Sequence, residues 1–71
     1  MHHVTLAWEL AQAVDERLGA GERRDIYVAL GAGDIATAIR GLTRAIVRER
    51  VELPSEIMTP LVAWCAAYPG G

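Results

Sequence analysis

The apolar positions of this chain fall into four blocks separated by glycine or proline, and the third block is the most regular. Between residues 34 and 53, Ile35, Ala38, Ile39, Leu42, Ala45 and Ile46 recur at i, i+3, i+4, i+7 spacing, with Leu53 beyond Glu49. That period predicts an amphipathic helix over 34–52. Asp34 supplies an N-cap and Pro54 a stop. Gly41, inside the run, costs roughly 1 kcal/mol relative to Ala, so it is expected either to mark the close approach of another helix or to be simply tolerated. Upstream, Val4, Ala7, Leu10, Ala11, Val14 and Leu18 form one arc of a helix over 4–18, widened by Trp8 on one side and by Leu6 and Ala13 on the other. Only Thr5, Glu9, Gln12 and Glu16 make a clean polar strip, so this helix is expected to be touched on two sides.

The corner Leu18-Gly19-Ala20-Gly21-Glu22 recurs as Leu30-Gly31-Ala32-Gly33-Asp34. Glycine after a last apolar residue is a left-handed helix stop, and an acid after the second glycine favours a new start by capping and by its charge at the positive end of the dipole. Two equivalent corners therefore frame a short helix over 22–30, although the crowded Ile26, Tyr27, Val28, Ala29 and Leu30 also fit a strand. In the last block, Thr59 as N-cap with Pro60 at the first helical position predicts a helix over 60–68 after a turn at 55–58. The run LVAWCAAY is apolar on every side, which in water means a buried centre or an oligomer contact. His2 and His3 fall on an expected frayed end, and Pro69 to Gly71 on a tail. The fold class is all-α: a single domain over 1–71, four helices in two hairpins, with short flexible ends.

Composition sharpens this picture. Twelve alanines and no Phe among 71 residues favour helix and close helix approach, but a chain this short has a small core, a limit that oligomerisation relieves. Seven Arg and no Lys stand against nine acids, and the net charge of −2 argues against a general polyanion binder. The single Cys65 excludes an internal disulfide, suits a reducing cytoplasm and is expected to be a small buried apolar residue, with a reactive thiol or an intermolecular disulfide as the alternative. The start has no signal-peptide pattern, and the longest uncharged run, 57–71, is interrupted by two prolines and too short to span a bilayer.

Gly31-Ala32-Gly33-Asp34-Ile35-Ala36 resembles the G-x-G-x-x-A fingerprint of dinucleotide-binding Rossmann folds, in which glycines let the backbone approach a pyrophosphate at a helix N-terminus. The resemblance implies a strand over 25–30, with Glu52 near the distance of a ribose-binding acid. A nucleotide-binding fragment is accordingly one alternative, although few residues are left for the flanking parallel sheet. Gly33, Asp34, Ala38, Leu42 and Ala45 resemble half of a tetratricopeptide repeat, while Glu22, Asp25 and Ile26 depart from its first helix. That half-match implies a helical hairpin.

Two surfaces are candidates for contact. Arg40, Arg44 and Arg48 stand four apart on the outer side of the third helix with Val47 and Val51 among them, a mixture suited to a protein partner. Solvation, or pairing with acids such as Glu9 and Glu16, is the plainer expectation for these arginines. Met58, Leu61, Trp64 and Tyr68 in the last block serve as core or as interface. Catalysis is not expected: with one Ser, one Cys, no Lys, no Asn and both histidines at the start, a nucleophile with a positioned base cannot be assembled. No cofactor and no metal site are expected either. The sequence points to a small non-enzymatic module that binds itself, as a homo-oligomer, or another protein. A nucleic-acid regulator using the arginine stripe is a second alternative.

Overall fold

The computed structural model describes residues 2–68, so the expected tail, 69–71, lies outside the described residues. The described chain is helical throughout and contains no strand: α1 (His3–Val14), a single 3-10 turn (Asp15–Arg17), α2 (Ala20–Gly31), α3 (Ile35–Glu49) and α4 (Ser55–Ala67). Residues 25–30 lie inside α2, so the strand–turn–helix setting that a dinucleotide fingerprint needs is missing.

The centre is the pair α1 and α3. Leu6, Ala7, Leu10, Ala11 and Val14 of α1 meet Ala38, Ile39, Leu42, Ala45 and Ile46 of α3, all buried. Alanines in both stripes let the axes approach, and each leucine or isoleucine removed from water contributes roughly 2 kcal/mol. Ile26, Ala29 and Leu30 lay α2 against α3, while Leu61 and Trp64 attach α4, chiefly to α1. α1 is thus touched on more than one side, as its wide apolar arc implied. Gly41 is explained by packing: a Cβ there would stand 3.3 Å from Cγ1 of Ile26.

The two corners share a sequence but not a geometry. α1 stops at Val14, four residues before the expected end, because the chain tightens into the 3-10 turn and brings Leu18 back into the core in extended conformation. Gly19 has φ −68°, so it is an extended N-cap of α2 and not a left-handed stop. At the second corner the left-handed residue is Gly33, φ +79°, two residues after Gly31. There the Gly33 N–H donates to the Leu30 carbonyl and the Asp34 N–H to the Ala29 carbonyl, the paired bonds of a Schellman motif. Asp34 then caps α3 through its carboxylate, which accepts from the Thr37 N–H at 3.4 Å.

α3 ends by the same device at Glu49, short of the expected 52. Arg50 takes the left-handed conformation (φ 53°, ψ 45°), its N–H donates to the Val47 carbonyl, and the Val51 N–H donates to the Ile46 carbonyl. Val51 and Leu53 then fold back onto the core.

α4 starts five residues before the expected start, with Pro54 as N-cap, and carries Pro60 in its second turn. Pro60 cannot donate to the Glu56 carbonyl, so one helical bond is missing. The early start places Ile57, Leu61 and Trp64 on one face, i, i+4, i+7, and all three pack on the core. At the other end, His2 is not frayed: its Nδ1 caps α1 by accepting from the Val4 N–H at 3.2 Å. None of the described helices is long and apolar enough to cross a membrane.

Candidate functional site

The arginine stripe of α3 does not act as a unit, because each arginine meets a different neighbour. Arg48 forms a bidentate pair with Glu22 of α2, Nη1 to Oε2 at 2.9 Å and Nη2 to Oε1 at 2.8 Å, while its Nε donates to Glu49 at 2.9 Å. Hydrogen bonding from Arg48 holds the Glu22 carboxyl below its ordinary 4.5, helped by the Gly19 backbone N–H. The same two carboxylates raise the Arg48 guanidinium further above its ordinary range. The pairing acid is on α2, not among the α1 acids Glu9 and Glu16. Arg40 turns toward α4, with its guanidinium carbon 5.9 Å from the Trp64 ring centroid. Its Nε is buried without a hydrogen-bond partner, and the contact with the ring face is the attraction that holds it.

Arg44 is the stripe's one arginine with neither an ion pair nor a stacked ring among the described residues. It borders a shallow groove of about 400 Å³ with Thr37, Gly41, Ile26, Glu22 and Asp25. The two acids there oppose an anionic ligand. Val47 is exposed at 71%. Val51 does not stand beside it, because the left-handed Arg50 takes it out of the helix and onto the core. Of the five residues expected to share an outer face, Arg44 and Val47 are exposed and unpaired among the described residues, Arg48 is exposed but ion-paired, and Arg40 and Val51 are partly buried.

The last block splits as well. Leu61 (5% exposed) and Trp64 (6%) are core. Met58 (37%) and Tyr68 (43%) face outward, joined by Val62 (59%) and the free thiol of Cys65. Successive residues turn by about 100°, so Met58, Val62 and Cys65 lie on one flank of α4, and Pro60, Ala63 and Ala67 on the other. The second flank borders a groove of about 230 Å³ closed by His3 and Leu6 of α1, with Trp64 and Tyr68 at its end. Trp64 and Tyr68 stack at 4.9 Å between centroids, and His3 meets Tyr68 edge-on at 5.4 Å. From residue 57 to residue 68, α4 carries no charged side chain.

Sequence reasoning missed Val62 and expected Cys65 to be buried; Cys65 is exposed, because it lies on the face of α4 shared with Met58 and Val62, turned away from Leu61 and Trp64. Sequence reasoning also missed a polar junction around Asp15. Arg23 Nη2 donates to the Asp15 carbonyl at 2.7 Å, and the Tyr27 hydroxyl donates to Asp15 Oδ1 at 3.2 Å. Burial first, and then the bond to Asp15, raise the Tyr27 phenol above its ordinary 10.0. Tyr27 also packs against the half-exposed Trp8, with ring centroids 5.8 Å apart. These partners are eight, twelve and nineteen residues apart and lie on different elements, so no helical periodicity reveals them. No group of three or more potential metal ligands occurs among the described residues. Compared with known proteins, the chain matches no family model, no curated protein and no solved structure.

Proposed function

We infer that this chain is a small, non-enzymatic protein–protein interaction module and that α4 is its docking element. One observation carries the reading: α4 buries Leu61 and Trp64, half-buries Ile57 and Pro60, and leaves most of the remaining residues of an almost uncharged helix exposed. A solvent-exposed helix of that composition gains free energy by being covered, and Met58, Val62 and Tyr68 are side chains of the kind that anchor protein contacts. The exposed, unpaired Cys65 suits a reducing compartment such as the cytoplasm. A nucleic-acid role has less support, since Arg48 is held by Glu22, Arg40 lies on Trp64, and Arg44 alone faces acids.

A photo-crosslinking residue placed at position 62, with position 47 on α3 as control, tests the docking element in native lysate. The expected result is a discrete crosslinked species from position 62 that is lost in the Met58→Glu variant and absent from position 47. Equal capture from both positions, or none from 62 under conditions where circular dichroism shows the native helix content, sinks the reading.

A further inference from the structure

We propose that the occupant of the groove flank of α4 is a second copy of this chain, packed antiparallel across a two-fold axis near Ala63. The inference rests on the reading of α4 as a docking element and assigns an occupant to the flank opposite Met58 and Val62. The flank has two unlike ends. Glu56, one turn before Pro60, is the only charged residue on α4 and makes no ion pair among the described residues. At the opposite end, about 17 Å away along the axis, His3 stands against Tyr68 with no hydrogen bond to its ring among the described residues. Between them lie Pro60, Ala63 and Ala67, which are small or compact and uncharged.

A two-fold contact sets every part of a surface against a copy of itself reversed end for end. On this flank that operation brings Glu56 of one copy to the His3 end of the other, twice, and places Ala63 on the axis. An imidazole N–H donates to a carboxylate oxygen. A parallel arrangement would instead set Glu56 against its own copy. The small side chains at the centre let the two helices approach closely, and no like charges meet there. A single helix flank is a small interface, so the association is reversible and concentration-dependent.

Sedimentation equilibrium on the full chain from about 10 µM to about 1 mM tests this. The expected result is a monomer–dimer equilibrium. Ala63→Glu sets two carboxylates on the axis at an exposed position and weakens the dimer by about tenfold or more, with helix content unchanged by circular dichroism. Glu56→Lys weakens it too, and adding His3→Glu to that chain restores it, a rescue that a merely structural role would not give. A wild type that is monomeric throughout, or an Ala63→Glu chain that associates as well as wild type, overturns the proposal. So does failure of the double variant to recover. A monomeric wild type that still crosslinks a different protein from position 62 refutes self-pairing alone and leaves the interaction reading standing.

Discussion

Arg50 and Gly33 hold the same left-handed backbone position at the ends of α3 and α2, one with a side chain and one without. For an L-residue that conformation costs roughly 1–2 kcal/mol, which glycine avoids. Nothing lies within 4 Å of a Cβ built on Gly33, so the cost of a substitution there is purely conformational. Gly33→Ala is therefore expected to destabilise by about 1–2 kcal/mol in urea denaturation. Arg50→Gly is expected to stabilise by about 0.5–1 kcal/mol, since glycine's larger unfolded-state entropy offsets part of the relief. A Gly33→Ala chain as stable as wild type, or an Arg50→Gly chain less stable than wild type, would contradict the left-handed conformation at that position. These two residues also show where sequence reading ran out. The glycines announced a corner, but which of two glycines turns left-handed depends on carbonyls already set by the preceding helix. Arginine carries no signal for a left-handed position at all.

Between elements, Arg48 and Glu22 form the one bidentate ion pair among the described residues and tie α2 to α3. Glu22 has a folded pKa below the unfolded value of 4.5. The pair therefore contributes stability at pH values above 4.5, and that contribution is lost as pH falls through the lower folded pKa. Comparing wild type with Glu22→Gln by thermal melts should give a difference that is constant near neutrality, shrinks below about pH 4.5 and falls with added salt. A difference that grows in acid would contradict the pairing. The i, i+3, i+4 period made the inner stripe of α3 legible residue by residue, because burial follows geometry within one helix. Its outer face was not legible, since the fates of Arg40, Arg44 and Arg48 depend on which foreign helix lies alongside. Val51 was misplaced for a related reason: an angular count holds only while the helix continues, and Arg50 ends it.

Across the whole molecule, stability is concentrated where α1 meets α3 and thins toward α4. α4 is fastened mainly by Ile57, Leu61 and Trp64, lacks one backbone bond at Pro60, and packs chiefly on a single neighbour. Amide hydrogen exchange is expected to be slowest at Leu10, Leu42 and Ala45, and at least tenfold faster along the second half of α4, reporting opening of that helix before global unfolding. Uniform protection across all four helices would refute the gradient. The all-helical class was legible from alanine content and apolar period, while Gly41 was open between close packing and simple tolerance until Ile26 was placed against it. The uneven attachment of α4 was not, because a helix apolar on every side does not say which side its neighbours will choose.

The edge-on meeting of His3 and Tyr68 has a topological consequence. Those rings belong to the first and last turns of the described chain, so the polypeptide enters and leaves the bundle at the same spot. A unit with that property is closable into a ring by a short peptide linker, and it can be spliced into a surface loop of another protein without prising the host loop apart.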